Sequence, residues 1–97
     1  MLEHITTRIA QLEKEIVDLR RDFHTHPELG FQEFRTASVI EDYLHALGLE
    51  TTRMAGTGVV AMIEGKSPSP VVMLRADMDA LPVCEATGLD YASCTEG

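Results

Sequence analysis

Apolar residues recur at helical spacing over residues 2–23, with charged residues between them. They are separated by steps of three and four positions: Leu2, Ile5, Ile9, Leu12, Ile16, Leu19 and Phe23. Residues three and four apart share one face of a helix, so this pattern predicts an amphipathic helix that packs on a sheet. Pro27 lacks a backbone donor and disfavours helical angles at His26, so we expect the helix to end near His24.

A second helix and three strands are predicted after Pro27. The second helical pattern spans residues 32–47 and is followed by Gly48, which suits a left-handed C-terminal cap. Turns rich in Gly and Pro then separate three strand-like runs: Thr51 to Ala55, Val59 to Glu64 and Val71 to Ala76. Val71 to Leu74 is apolar throughout, which predicts a central strand covered on both faces. Two helices cannot cover such a strand, so the pattern indicates an incomplete α/β domain.

Composition excludes several classes of partner. The 97 residues contain 16 acids and 8 Lys or Arg, a net charge of -8 that disfavours nucleic-acid binding. The longest apolar run, Val59 to Ile63, is too short to cross a membrane, and the start lacks the pattern of a secretory signal. A cytoplasmic protein is therefore expected. Cys84 and Cys94 fit no common zinc spacing and are expected to be reduced, partly buried thiols.

Two acids directly follow the predicted central strand, in Arg75-Ala76-Asp77-Met78-Asp79-Ala80. Functional groups of α/β sheets gather beyond the carboxyl ends of strands, so Asp77 and Asp79 are candidates to act on a ligand or metal. The alternative is that both carboxylates bond local backbone donors and shape a turn.

A second candidate segment leaves the end of the first helix: His24-Thr25-His26-Pro27-Glu28. His and Glu are metal-ligand types, although this spacing is not specific. His24 could instead interact with the negative end of the helix, and Glu28 could simply be solvated.

Taken in order, these segments resemble a known family. The sequence carries Arg20 to Glu33 around His24-Thr25-His26-Pro27-Glu28-Leu29-Gly30, then Gly56-Thr57-Gly58-Val59, then Leu74 to Pro82. From about Ile16 onward the chain resembles the N-terminal segment of the metal-dependent amidohydrolases that include hippurate hydrolase, N-acyl-amino-acid amidohydrolase and plant auxin-conjugate hydrolases.

The resemblance implies that residues 1–97 begin a mixed-sheet, zinc-peptidase-like catalytic α/β domain, without the lid and dimerisation domain. The parent enzyme would hydrolyse the amide bond of small N-acyl amino acids or peptides. It would use divalent Zn, Mn, Co or Ni, and the resemblance is compatible with a homodimer. The metal ligands and the general base are expected downstream of Gly97, so no metal is expected on this segment and it should be inactive alone.

The resemblance also assigns roles to the two acids. Related metallopeptidases carry His-x-Asp here, in which His binds a metal and Asp orients that His. Asp79 occupies the orienting position, whereas Asp77 stands where those relatives have the ligand His, and only a minor role in shaping the turn is carried over to it. Two alternatives stay open: a free-standing α/β binding module, and an aminopeptidase or carboxypeptidase of the wider metallopeptidase group.

Overall fold

Two helices and a two-stranded antiparallel sheet make up the regular structure of residues 2–94, the part of the chain that the computed structural model describes. In chain order these elements are α1 (Leu2–Thr25), α2 (Phe34–Ala46), β1 (Thr51–Met54) and β2 (Gly58–Ala61). They belong to two compact units. The described residues of the first are 2–26 and 83–94, and the second comprises residues 27–82.

Helix α1 has nearly the predicted extent. It ends at Thr25, one residue beyond the expected end, just before Pro27 removes the next backbone donor. Within the first unit none of its residues is buried, and Leu2 and Ile9 are 80 % and 62 % exposed. No helix within residues 2–94 is both long and apolar enough to cross a membrane.

Helix α2 ends in the predicted glycine cap. Gly48 has a φ of 84°, a conformation that a residue without a β-carbon adopts at little cost. Its amide donates to the carbonyl of His45 at 2.9 Å, and the amide of Leu49 donates to the carbonyl of Leu44 at 3.0 Å. This pair of bonds is a Schellman motif, which satisfies carbonyls that the end of the helix leaves without partners.

Strands β1 and β2 form a hairpin over the predicted Gly-rich turn. The register pairs Thr51 with Ala61 and Met54 with Gly58. A β-carbon at residue 58 would lie 2.6 Å from the carbonyl oxygen of Met54, so the close approach of the two strands requires glycine there. The hairpin therefore depends on local turn chemistry that the sequence shows directly.

Polar contacts join α2 to the hairpin. Ala37 is fully buried, together with Glu33 and Thr57, which are 8 % and 4 % exposed. The hydroxyl of Thr57 donates to Oε1 of Glu33 at 2.8 Å, and Nη2 of Arg53 donates to Oε1 of Glu41 at 2.7 Å. The start of α2 is thereby fixed on the turn, and its middle is fixed on β1.

The third predicted strand, Val71 to Ala76, was wrong: no strand is present there in the structure. Val71 to Leu74 are between 81 % and 94 % exposed. A central strand forms when neighbouring strands satisfy its backbone and apolar layers cover its faces. Within residues 2–94 the two strands that form pair with each other, so this run lacks the neighbours that its composition requires.

We expect the 97-residue chain to bind hydrophobic dyes or to self-associate through Val71 to Leu74. Burying one Val or Leu side chain contributes about 1.5 to 3 kcal/mol, so four exposed apolar side chains strongly favour association. Dye fluorescence and sedimentation should be measured for the wild type and for Val72→Ser with Leu74→Ser, which should reduce dye binding at least about twofold.

The matched control is Glu64→Ser with Lys66→Ser, which changes exposed neighbours and leaves the net charge unaltered. A monomer that unfolds cooperatively and binds no dye would contradict the expectation.

Candidate functional site

The two candidate segments of the sequence meet in the second unit. The amide of Ala80 donates to the main-chain carbonyl of Glu28 at 2.7 Å. Two residues further on, a β-carbon built at Gly30 would lie 3.5 Å from Oδ2 of Asp79. Residues 28–30 and 79–80, which we name the Glu28–Asp79 junction, therefore lie side by side although about 50 residues separate them in the chain.

The carboxylate of Glu28 caps α2 from outside the helix. Its oxygens accept hydrogen bonds from the backbone amides of Arg35 at 3.0 Å and Thr36 at 2.6 Å. Amides in the first turn of a helix have no partner within the helix, and a negative charge there interacts favourably with the helix dipole. The interpretation of Glu28 as a solvated side chain was wrong.

The same contacts shift the pKa of Glu28. Burial raises the pKa, but the hydrogen bonds from Thr36 and Arg35, with the positive charge of Arg35, outweigh burial and hold the pKa below its ordinary value. A carboxylate in this position stays ionised at neutral pH.

Sequence reasoning missed this cap, because the two amides that Glu28 binds lie seven and eight positions further along the chain. Glu33 stands at the N-cap position of α2 without making a side-chain cap bond, and the first turn of α2 contains no acid. The side chain of Glu33 is instead bonded to Thr57. Glu28, from outside the helix, instead binds two of the first-turn amides.

Asp77 and Asp79 lie in different surroundings. Asp77 accepts a hydrogen bond from Arg75 at 2.8 Å, in a pair whose side chains are 76 % and 69 % exposed. Such an exposed pair adds little to stability. Asp79 is also exposed, but it lies at the junction with Gly30. The geometry therefore separates a local ion pair from a carboxylate that lies near a second segment, next to the hydrogen bond between Ala80 and Glu28.

A second polar cluster lies in the first unit, around Glu85. Its Oε1 lies 2.6 Å from Nε2 of His24 and accepts the amide of Ser93 at 3.0 Å, while Oε2 accepts the hydroxyl of Thr87. The ring of Tyr91 meets His24 edge-on, with centroids 5.9 Å apart. His24 thus serves here to join the C-terminal end of α1 to residues 85–93.

The described residues do not form a metal site of their own. Within residues 2–94, no three His, Cys, Asp or Glu side chains lie close enough together to hold a metal ion. Asp77 is paired with Arg75 and His24 with Glu85. Cys84 and Cys94 are free and exposed, so the expected partial burial of these thiols was wrong.

Comparison with known proteins supports the resemblance seen in the motifs. The chain is 48 % identical over 85 residues to the Bacillus subtilis protein YhaA, named as an amidohydrolase, covering 87 % of this chain and 22 % of that protein. It is 44 % identical over 90 residues to the N-acetyl-L-cysteine deacetylase of the same organism, covering 92 % of this chain and 22 % of that protein.

A solved structure shares the fold. The Bacillus subtilis YXEP protein, described as a dinuclear metal binding peptidase from the M20 family, matches with a TM-score of 0.84 and 40 % identity, over 91 % of this chain and 25 % of that one. The chain is homologous to amidohydrolases and to an M20 peptidase. The M20 match confirms the predicted fold class.

These homologues are much longer than this chain. The chain spans a quarter or less of the length of the amidohydrolases and of the M20 peptidase. A Rhodococcus jostii protein named as a glutamate–cysteine ligase is 49 % identical over 86 residues, which are 88 % of this chain but only 11 % of that protein. No family model matches the chain.

The cluster around Glu85 predicts that hydrogen-exchange protection in the first unit depends on pH. Hydrogen bonds from Thr87 and Ser93 hold the pKa of Glu85 below its ordinary value of 4.5, against the effect of burial and with a contribution from His24. When folding lowers the pKa of a carboxyl group, its ionised form stabilises the folded state at pH values above the ordinary pKa. This stabilisation is lost as the pH falls through the folded-state pKa. The protection of the Ser93 amide against hydrogen exchange should therefore fall below about pH 4.5.

Glu85→Gln should lower this protection at neutral pH and remove its dependence on pH in the acidic range. Asp90→Asn is the matched control, since it neutralises an exposed acid of the same segment. Unchanged Ser93 protection in Glu85→Gln would show that the carboxylate does not hold the segment.

Proposed function

We propose that this chain is the N-terminal part of the catalytic domain of a metal-dependent amidohydrolase that acts on N-acyl amino acids. The observation that carries the proposal is homology over nearly the whole chain to proteins named as amidohydrolases and as a deacetylase of an N-acylated amino acid. The junction supports it, because it brings together the two motifs on which the family resemblance rests.

The proposed reaction splits an amide bond into a carboxylate and a free amino acid. Divalent metal ions such as Zn, Mn, Co or Ni supply the charge that polarises an amide carbonyl and activates water in such enzymes. The M20 homologue is described as dinuclear, which supports the use of such metals in the parent protein. Following the family resemblance, we place the ligands and the general base beyond Gly97.

Within this chain, we assign the supporting role to Asp79. A carboxylate can accept a hydrogen bond from a metal-binding His and fix the orientation of its ring. Asp79 suits this role because its exposed carboxylate lies near Gly30 and next to Ala80, whose amide is bonded to Glu28. Asp77 suits it less, because Arg75 already engages its carboxylate.

The rest of the proposal follows the family resemblance. The parent protein is proposed to be cytoplasmic, to carry a lid domain in addition to these 97 residues, and to form a homodimer. A peptidase acting on small peptides is a second candidate, favoured by the description of the solved homologue as a peptidase.

We expect the 97-residue chain to have no amidase activity. Removing the groups that stabilise the transition state costs several powers of ten in rate, and the described residues form no ligand set. Purified chain should be incubated with N-acetyl amino acids and Zn²⁺, Mn²⁺ or Co²⁺, with released amino acid as the measurement. Metal-dependent turnover that disappears in Asp77→Asn or Asp79→Asn would overturn the assignment of the ligands to residues beyond Gly97.

Asp79→Asn should impair the protein extended beyond Gly97 much more than Asp77→Asn. Groups that orient metal ligands typically affect metal affinity or activity by about 10 to 100-fold, whereas a turn-shaping residue acts mainly through stability. Metal content and amide hydrolysis should be measured together for both variants at one protein concentration. Full metal content and full activity in Asp79→Asn would contradict a supporting role for this carboxylate.

A further inference from the structure

Glu28 forms hydrogen bonds with two segments of the chain, one through its side chain and the other through its main chain. Its carboxylate accepts the Arg35 and Thr36 amides at the start of α2, and its main-chain carbonyl accepts the Ala80 amide beside Asp79. We propose that Glu28 is a positioning residue that fixes the Asp79 loop, residues 77–80, to the first turn of α2. The proposal rests on the proposed function only for its consequence, which is that Asp79 is held where it can support a metal ligand.

The first turn of α2 is a suitable anchor. Glu33, at the start of the helix, is buried and bonded to Thr57 in the hairpin turn, and Glu41 is bonded to Arg53 on β1. These contacts tie α2 to the hairpin at two places along its length. A side chain that binds the first-turn amides is therefore attached to a helix that is itself bonded to the hairpin.

The Asp79 loop meets the Glu28 segment at two adjacent points. The Ala80 amide is 2.7 Å from the Glu28 carbonyl, and the Asp79 carboxylate lies at ordinary van der Waals distance from the place that a β-carbon on Gly30 would occupy. A shift of the Glu28 main chain thus changes the position of Asp79 through the hydrogen bond to its neighbour Ala80, while the Asp79 carboxylate lies near Gly30 of the same segment. A purely local cap would not have this consequence.

The charge of Glu28 makes the arrangement dependent on pH. The charge of Arg35 on α2 acts on the Glu28 carboxylate, and the other acid near this segment is Asp79, which lies near Gly30. Because the folded-state pKa of Glu28 lies below its ordinary value of 4.5, the contribution of its ionised form is present above that value and is lost as pH falls through the folded-state pKa.

The test uses amide hydrogen exchange and carboxyl carbon shifts, measured by NMR on the 97-residue chain. In Glu28→Ala, the protection of the Ala80 amide should fall at least about tenfold and the Asp79 carboxyl resonance should shift, because the loop loses its anchor. The Ala80 protection in Glu28→Gln should lie between that of the wild type and that of Glu28→Ala. The amide oxygen of Gln can still accept one of the two hydrogen bonds from the start of α2.

Glu41→Gln is the matched control. It removes an acid that bonds to Arg53 and so weakens the attachment of α2 to β1, but Glu41 has its bonds to Arg53 and Thr51 rather than to the Asp79 loop. It should leave Ala80 protection within about twofold of wild type. Comparison with Glu28→Ala then separates loss of general stability from loss of positioning.

Equal Ala80 protection and an unchanged Asp79 resonance in Glu28→Ala and Glu41→Gln would overturn the proposal. If Glu28→Ala does not fold, the test is the protection of the Ala80 amide, measured as the wild type and Glu28→Gln are titrated with acid. Ala80 protection should fall below about pH 4.5 only in the wild type, and identical profiles would overturn the proposal. Neither measurement uses activity, so failure of amide hydrolysis in the extended protein would count against the proposed function alone.

Discussion

The hydrogen bonds made by Glu28 are the constraint on which the organisation of the second unit depends. A carboxylate placed against the first turn of a helix satisfies amides that the helix cannot satisfy itself and interacts with its dipole. The carbonyl of the same residue accepts the Ala80 amide. One residue therefore relates the start of α2 to the acidic loop.

Polar contacts replace much of the apolar core in this part of the molecule. The buried side chains of the described residues are small or polar, whereas the large apolar side chains of Val71 to Leu74 are exposed. Short chains bury a limited share of their surface, so hydrogen bonds and ion pairs carry more of the organisation. The depressed pKa values of Glu28 and Glu85 connect that organisation to the ionisation of carboxylates.

Local signals predicted the helices and the hairpin, while contacts distant in sequence were not predictable. The ends of both helices follow from Pro27 and Gly48, and the hairpin follows from the Gly56–Gly58 turn, because these effects act within a few residues. The prediction of a strand at Val71 to Ala76 was wrong because a strand forms only when neighbouring strands satisfy its backbone hydrogen bonds. The capping role of Glu28 escaped detection because its partners begin seven positions later, beyond the spacing of ordinary caps.

The family resemblance supplied what periodicity could not, and the structure supplies the contact that relates its two motifs. The most direct test of this account is the scalar coupling across the hydrogen bond between the Ala80 amide nitrogen and the Glu28 carbonyl carbon, measured by NMR on the isotopically labelled chain. The 2.7 Å separation of nitrogen and oxygen predicts a detectable correlation between these two nuclei at neutral pH. No correlation, together with an Ala80 amide that exchanges as fast as in an unfolded peptide, would show that the two motifs do not meet.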